Sequence, residues 1–198
     1  MMKKKNSKKI RIIGGNLKGS ILFTKKFINV KPTTNYMRET LFNWIRPKIN
    51  QSNCLDCFSG TGALSIEAIS QGANSVIALE KNNKNVFLAK ENLKRLKIFK
   101  KIKFVICNTL IWLKKKRNIN FNIAFIDPPF KKKMVEKTAF LLEKNCFLTK
   151  NSIIYIEMEN NKKKIIVPKT WKLKKKKIKS NVLYLIYNKI NNCSPIVD

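Results

Sequence analysis

The sequence contains no histidine, and this removes one of the usual metal ligands. Its five cysteines include Cys54 and Cys57 in a C-x-x-C arrangement, but a zinc or redox site would need a second ligand pair or a thioredoxin-like context. Strand alternation would also place these two thiols on opposite faces of a strand. We therefore interpret them as small buried side chains and predict no metal site.

Long hydrophobic runs are also missing. No stretch approaches the ~20 apolar residues that cross a membrane, and the basic segment 1–9 is not followed by the apolar core of a secretion signal. With 198 residues, of which 44% are hydrophobic and 10% aromatic, the chain is long enough for one domain with a substantial core. We expect a cytoplasmic protein that has no membrane partner and acts as a monomer.

Acidic residues are scarce, since 11 Asp and Glu face 43 Lys and Arg, which gives a net charge of +32. Such an excess favours a polyanionic partner, and nucleic acid comes first. The chain is also rich in Lys, Asn and Ile, so mutational drift in an AT-rich genome explains part of the excess. The sign of the charge is therefore more informative than its size.

The chain divides into a basic tail and β-hairpin over residues 1–31, a main domain over 32–190 and a tail over 191–198. The segment 11–19 predicts a strand followed by a Gly/Asn turn, and a return strand passes through 21–23. A helix with a threonine N-cap begins after 31–34. Its apolar stripe is formed by Met37, Leu41, Trp44 and Ile45, and Pro47 is predicted to end it.

From residue 54 onward the pattern alternates between strands and helices. This order predicts an α/β fold, with a mostly parallel sheet that carries helices on both faces. Strands are predicted over 54–58, 76–79, 102–107, 121–126 and 153–157, and helices over 63–70, 82–96, 110–115 and 137–143. The segments 165–167 and 182–187 are predicted to close the sheet as an antiparallel pair, joined across the lysine run 172–179.

The motif Asp127-Pro128-Pro129-Phe130 follows the apolar strand 123–126. Each proline pushes the residue before it towards an extended conformation, so the Asp127 carboxylate and the Pro128 carbonyl become two fixed acceptors beside an aromatic ring. This set suits a flat substrate with an NH2 group, and it resembles the signature of methyltransferases that act on amino groups. The plainer interpretation is a strand that ends in a proline turn with a buried phenylalanine.

Three polar markers follow successive strands and predict a cofactor site, because ligands bind beyond the carboxyl ends of parallel strands. The first strand is followed by a loop with Asp56, Phe58, Gly60 and Gly62. The second ends at Glu80, which suits two ribose hydroxyls, and the third ends at Asn108, which suits an adenine edge. A Gly-x-Gly pair alone fits any tight strand-to-helix turn. Since Ser65 replaces the third glycine of the dinucleotide fingerprint, the combination favours S-adenosyl-L-methionine over NAD.

Several segments together resemble the RsmD family of bacterial 16S rRNA (guanine-N2)-methyltransferases. They are residues 11–15, 32–34, 38–44, 54–64, 92–93 and 127–130. The resemblance implies a Rossmann-like class I methyltransferase fold and S-adenosyl-L-methionine as cofactor. It also implies methylation of the exocyclic N2 amine of one guanine, of the position-966 type, in rRNA of an assembled or partly assembled small ribosomal subunit.

By matching positions, the resemblance places the target base at 127–130 and the cofactor at 56–62, Glu80 and Asn108. Thr34 and Arg38 are further cofactor candidates. The candidates for RNA contact are Arg11, Lys18, Lys31, Lys131 and Lys132. Where the family tends to have Arg-Pro-Thr-Thr-Asp-Arg, this chain has Lys31-Pro-Thr-Thr-Asn35-Tyr36, so that acid and that second arginine are absent here.

Two other functions fit parts of the sequence. A methyltransferase acting on amino groups of DNA or of another RNA would share the catalytic motif, although the chain leaves little room for a target-recognition region. A non-catalytic rRNA-binding assembly factor would share the fold, although the Asp-Pro-Pro-Phe motif is intact. The lysine run 172–179 is either a phosphate contact or a solvated hairpin, and we favour the solvated hairpin.

Overall fold

A computed structural model of the chain describes residues 7–25, 35–129, 134–160 and 165–191. The strands in these ranges are β1 (Ser7–Arg11), β2 (Ile21–Lys25), β3 (Asn53–Asp56), β4 (Ser75–Glu80), β5 (Ile102–Ile106), β6 (Phe121–Ile126), β7 (Leu148–Glu159), β8 (Trp171–Lys179) and β9 (Val182–Lys189). The helices are α1 (Asn35–Ile49), α2 (Ala63–Ser70), α3 (Asn83–Arg95), α4 (Thr109–Lys114) and α5 (Met134–Lys144). None of the helices in these ranges has both the length and the apolar character to cross a membrane.

The main sheet has seven strands in the order β5-β4-β3-β6-β7-β9-β8. Strands β3 to β7 are parallel, and β9 is antiparallel to both of its neighbours, so β8 again runs in the direction of β3 to β7. The predicted α/β fold, its mostly parallel sheet and the presence of a C-terminal antiparallel hairpin are therefore confirmed, although the hairpin is formed by β8 and β9. The parallel strands bring the residues that follow β3, β4, β5 and β6 to one edge of the sheet.

The sheet separates two hydrophobic cores. Helices α1, α2 and α3 pack against one face, and α4 and α5 pack against the other. Alternation along β6 shows the division, because Ile123 and Phe125 belong to the first core while Ala124 and Ile126 belong to the second. A strand buried on both faces needs apolar residues at every position, which explains the unbroken apolar run before Asp127.

The predicted N-terminal hairpin is confirmed, since β1 and β2 pair antiparallel as a separate two-stranded sheet, but its first strand lies at Ser7–Arg11 and not within the predicted segment 11–19. It packs tightly on the main domain, with Ile12 and Leu22 fully buried in the first core. The amide of Asn92 in α3 also bonds Phe23, accepting from its N–H at 3.1 Å and donating to its carbonyl oxygen at 3.0 Å. The hairpin is thus fixed to helices α2 and α3 through apolar burial and paired backbone groups.

The prediction that Pro47 ends the first helix is wrong, because α1 continues to Ile49. Pro47 lies in the last turn with its ring exposed, and its missing N–H leaves the carbonyl of Asn43 to solvent at the exposed helix surface. Ile45 and Ile49, on either side of the proline, are both buried in the first core. Their burial holds the final turn in helical form despite the lost hydrogen bond.

The predicted pairing of 165–167 with 182–187 is also wrong. The partner of β9 is β8, the lysine run itself, and 165–167 has no regular secondary structure. The two strands are joined at Ser180 and Asn181, and Ser180 takes a left-handed φ of 52°. Because β8 is an edge strand with mostly exposed side chains, lysine is tolerated there, and no apolar alternation marks the strand in the sequence.

Candidate active site

The loop after β3 lies between β6 and β4, the two strands next to β3, and is hydrogen-bonded to both. The Cys57 N–H donates to the Phe125 carbonyl of β6, and the Ser59 N–H donates to the Leu79 carbonyl of β4 at 2.9 Å. Gly62, with a left-handed φ of 75°, starts α2, and a Cβ atom there would lie 2.9 Å from the Phe104 ring. A side chain at position 62 is therefore excluded by both backbone conformation and space.

Glu80 closes this loop from the end of β4. Its Oε2 accepts the Gly60 N–H at 2.8 Å, and its Oε1 accepts the Asn82 N–H at 2.7 Å. A carboxylate offers about four lone-pair sites, so each oxygen retains capacity for a further donor. Such a fixed and half-buried carboxylate suits a vicinal pair of hydroxyl groups, which is the chemistry predicted for Glu80.

Asp56 lies behind the loop with 1% exposure. Burial raises its pKa to about 7. Hydrogen bonds from the Ser65 hydroxyl and the Phe58 N–H favour the charged form and oppose this rise. The Ser65 Oγ donates to Asp56 Oδ2 at 2.6 Å. Sequence reasoning treated Ser65 only as a lost glycine, whereas it ties the start of α2 to the end of β3.

Asn108 follows β5 and caps α4, where its Oδ1 accepts the N–H groups of Leu110 and Ile111 at 3.0 and 3.3 Å. These two bonds do not use its amide NH2 group. The N–H of Cys107, the residue before Asn108, donates to the Glu80 carbonyl at 3.0 Å. This bond places Asn108 beside the end of β4. The loop, Glu80 and Asn108 therefore meet at one edge of the sheet, and they fit a cofactor that carries a nucleoside.

Asp127 follows β6 and is half-buried, whereas Pro128 is buried and Pro129 is exposed. Tyr155 lies on the adjacent strand β7 and Tyr184 on the next strand, β9, and their pKa values are raised chiefly by burial and further by the charges of Glu157 and Asp127. The Asp127 carboxylate is thus within electrostatic reach of both phenol groups.

Sequence reasoning missed three residues that surround Asp127. The Tyr155 hydroxyl donates to Glu157 Oε2 at 3.0 Å, and both side chains are buried. Glu157 is paired with Tyr184 of β9 in the sheet register. The available signal was Glu157 itself, an acid that directly follows the apolar strand segment 153–156.

Arg38 is fully buried beneath the N-terminal hairpin. It donates to the Arg11 carbonyl at 2.8 Å and to Asn35 Oδ1 at 2.7 Å, and its Nη1 lies 3.5 Å from Glu67 Oε2. Burial lowers the pKa of Arg38, and the charge of Glu67 opposes that change. These contacts attach the hairpin to α1 and α2, and the cofactor contact of Arg38 stays a prediction.

The positions of the remaining predicted site residues, and of the two cysteines of the C-x-x-C arrangement, are as follows. Phe58 is half-buried beside the second core, and Arg11 and Lys18 are exposed on the hairpin. Cys54 and Cys57 lie in opposite cores, as strand alternation predicted, and the described ranges contain no cluster of three or more potential metal-ligating side chains. Outside the described residues lie Lys31, Thr34, Phe130, Lys131 and Lys132.

The main sheet has one reversed strand, β9, just inside its β8 edge. The glycine loop follows β3, an acid ends β4, and Asp-Pro-Pro follows β6. Together these features define a class I methyltransferase. Methyltransferases of this fold use S-adenosyl-L-methionine in general. A family model described as Conserved hypothetical protein 95 matches residues 10–188. The chain belongs to this family, which confirms the resemblance to the RsmD family.

Individual relatives agree with this assignment. The chain is 49% identical over 184 residues to Ribosomal RNA small subunit methyltransferase D of Buchnera aphidicola subsp. Acyrthosiphon pisum, which covers 93% of this chain and 95% of the relative. It is 38% identical over 191 residues to the protein of that name from Escherichia coli K12, covering 95% and 96%. A solved structure described as putative methyltransferase yhhF from Escherichia coli superposes with a TM-score of 0.85 at 37% identity, covering 92% of this chain and 99% of that one.

Proposed function

We propose that the chain transfers a methyl group from S-adenosyl-L-methionine to the exocyclic N2 amine of one guanine in 16S rRNA. The substrate is the guanine of the position-966 type, presented in the cytoplasm by an assembled or partly assembled small ribosomal subunit, and the enzyme acts as a monomer. The observation that carries the proposal is the position of Asp127. It follows β6, the direct neighbour of β3, whose glycine loop is bonded to Glu80.

Two further observations support the choice of substrate. Relatives that are 38% and 49% identical over nearly the whole chain are named for methylation of small-subunit rRNA. The net charge of +32 suits a phosphate-rich partner. Arg11 and Lys18 are exposed on the hairpin of the 1–31 segment, and we propose that they contact RNA beside the catalytic domain 32–190, together with Lys31, Lys131 and Lys132.

In this proposal the cofactor is held at the edge of the sheet where β3, β4 and β5 end. Glu80 accepts hydrogen bonds from its ribose hydroxyls, Asn108 meets its adenine edge, and the backbone at Gly60 and Gly62 approaches it closely. Asp56 acts from behind the loop through Ser65. When bound, the cofactor supplies a methyl group on a cationic sulfur.

Catalysis then depends on orientation of the target amine. The Asp127 carboxylate and the Pro128 carbonyl accept hydrogen bonds from its two N–H groups, which would direct the nitrogen towards the methyl group that the bound cofactor would supply, and Phe130 stacks on the unstacked base. Asp127 stabilises the positive charge that grows on the amine as it is methylated. Asp127 then accepts the proton that the methylated amine releases.

The proposal is tested by incubating unmethylated small subunits with a labelled methyl donor and mapping the modified nucleotide. Asp127→Ala is expected to reduce the methylation rate by at least about a hundredfold. Because Asp127 lies outside the cofactor contacts proposed above, binding of S-adenosyl-L-methionine measured by calorimetry should be unchanged. Glu159→Ala, at the end of the adjacent β7, is the matched control and should retain activity.

Three outcomes would contradict the proposal. Turnover that survives Asp127→Ala within a few-fold would remove the catalytic role of Asp127. Label in DNA or in another RNA would identify a different amino-group methyltransferase. Failure to bind S-adenosyl-L-methionine, even with small subunits present, would identify a non-catalytic assembly factor.

A further inference from the structure

The edge strand β8 carries an unusual concentration of charge, since six of its nine residues are lysine. Lysine at a sheet edge prevents pairing with other chains, and this explains charge there in general. It does not explain why particular ammonium groups are held against one aromatic ring.

Three of these lysines share a face with the residues around Asp127. The register pairs Lys175, Lys177 and Lys179 of β8 with Ile186, Tyr184 and Val182 of β9. Residues directly opposite each other on neighbouring strands point to the same face, and Ile186, Tyr184 and Val182 all belong to the first core. Lys175, Lys177 and Lys179 are therefore on the first-core side of the sheet.

Lys177 also lies in the same row of side chains across the sheet as Asp127. Tyr184 is opposite both Lys177 and Glu157, and Ile126, the residue before Asp127, is opposite the residue before Glu157. A row of side chains thus crosses four adjacent strands from Asp127 to Lys177. Three inter-strand spacings separate its ends, which is about 14 Å.

Two of these lysines, Lys177 and Lys179, contact the ring of Tyr36 in the first turn of α1. The Lys177 Nζ donates to the Tyr36 hydroxyl at 2.7 Å and lies 4.5 Å from the ring centroid, and the Lys179 Nζ lies 3.9 Å from that centroid. The hydrogen bond and charge of Lys177 lower the pKa of Tyr36. Tyr36 as a residue remains 48% exposed, so part of its surface is available to a ligand.

Lys177 and Lys179 bring two positive charges to Tyr36 from another element of the fold. An exposed aromatic ring beside ammonium groups matches single-stranded RNA, whose bases stack on aromatic side chains and whose phosphates bind lysine.

We propose that Tyr36, Lys175, Lys177 and Lys179 form an RNA landing surface, where the single-stranded segment next to the target guanine binds before and during methylation. The lysines hold its phosphates, and Tyr36 stacks with a neighbouring base while the guanine enters beside Asp127. This inference rests on the proposed function, because it assigns the path by which the same substrate reaches the same site.

The charge component is tested with the full chain and a fluorescent RNA copy of the target stem-loop. The triple variant Lys175→Gln, Lys177→Gln, Lys179→Gln is compared with Lys100→Gln, Lys101→Gln, Lys103→Gln, which removes the same charge from exposed positions at the opposite, β5 edge of the sheet. The β8 variant should lower the salt slope of log K by about two, whereas non-specific attraction would lower it equally in both. The KM of the β8 variant for small subunits should rise at least about tenfold, while its kcat and its affinity for S-adenosyl-L-methionine should be unchanged.

The aromatic component has its own pair of variants. Tyr36→Leu should weaken RNA binding by about tenfold or more, as expected for the loss of one stacked base. Tyr36→Phe keeps the ring but loses the bond from Lys177, and it should bind within about threefold of the parent chain. Equal losses in the two variants would overturn the stacking role, because they would trace the effect to the hydroxyl.

Failure of this inference is distinguishable from failure of the proposed function. If the parent chain methylates small subunits while the β8 and β5-edge triple variants show the same KM and the same salt slope, the landing surface is wrong and the function stands. If the parent chain neither binds nor methylates RNA, both are wrong. Thermal unfolding and S-adenosyl-L-methionine binding of each variant show that the fold is retained.

Discussion

A buried carboxyl group behind the glycine loop makes the stability of the protein depend on pH. Burial raises the pKa of Asp56 from an ordinary value of 3.8 to about 7. Between these values the folded state keeps a proton that the unfolded state has released, so the free energy of unfolding falls as pH rises through about 7.

Asp56→Asn removes that titration while keeping an acceptor for Ser65. We expect the variant to lose less stability than the parent chain between about pH 5 and about pH 8. Urea unfolding at both pH values, with the parent chain measured alongside, checks this. An equal loss of stability in the two proteins would show that Asp56 does not titrate in this range.

The Tyr155 hydroxyl is the donor that satisfies one oxygen of the buried Glu157. Tyr155→Phe keeps the ring and removes that donor, so it should lower the free energy of unfolding by ~1–3 kcal/mol. Tyr187→Phe is the control, because Tyr187 is buried in the opposite core and its ring packs on Trp171. Denaturant titration of both variants checks the difference, and equal losses would contradict a special role for the Tyr155–Glu157 bond.

The sequence predicted the positions of those single side chains that directly follow or end a recognisable strand. The contacts of Gly60 and Glu80 agree with their predicted place at the end of neighbouring strands. Tyr155, Glu157 and Tyr184 were missed because their approach to Asp127 depends on the register of β6, β7 and β9. That register joins residues ~30 positions apart and leaves no local signal.

One buried carboxylate, that of Glu67, bonds the N-terminal hairpin to α2. Glu67 accepts the N–H of Ile13 at 3.0 and 3.2 Å and that of Gly14 at 2.8 Å, and it is the partner of Arg38. The Ser70 hydroxyl extends the attachment along α2 by accepting the Leu17 N–H at 2.9 Å. The hairpin and the helix layer should therefore respond together to changes at Glu67.

Glu67→Ala leaves the Arg38 charge buried without its partner, so it should cost ~3–5 kcal/mol of unfolding free energy. It should also speed hydrogen exchange at the amides of Ile13 and Gly14. Glu91→Ala, which breaks an exposed pair with Lys94, is the matched control and should cost no more than ~1 kcal/mol. Unchanged exchange at the two hairpin amides would show that Glu67 does not hold the hairpin.

Elements with a periodic apolar pattern were predicted well, and the two failures share a cause. Strand β6 and helix α2 match their predicted bounds, 121–126 and 63–70. The strand β8 and the last turn of α1 have weak or adverse local preferences, and they form because a neighbour compensates. Strand β8 pairs with β9 along its whole length, and the turn after Pro47 is held by buried Ile49.

For the molecule as a whole, cofactor binding and global stability should be linked. Any ligand that binds only the folded chain raises the free energy of unfolding according to its concentration and affinity. S-adenosyl-L-methionine should therefore raise the melting temperature progressively. Glu80→Gln should abolish most of that rise, because an amide cannot accept at both ends from Gly60, Asn82 and a ribose.

Thermal melting over a range of cofactor concentrations measures this linkage. Glu91→Gln, an exposed acid on α3, is the control and should melt like the parent chain with and without cofactor. A full cofactor-induced rise in the Glu80→Gln variant would remove Glu80 from the cofactor site.

The position of β9 has a consequence for how the enzyme is made. This final strand lies between β7 and β8, so β8 leaves the ribosome earlier but has no place in the sheet until β9 follows. Tyr184, whose pKa is raised in part by the charge of Asp127, arrives with the same strand. A nascent chain therefore cannot complete the β7-β9-β8 side of its sheet before translation has passed Lys189.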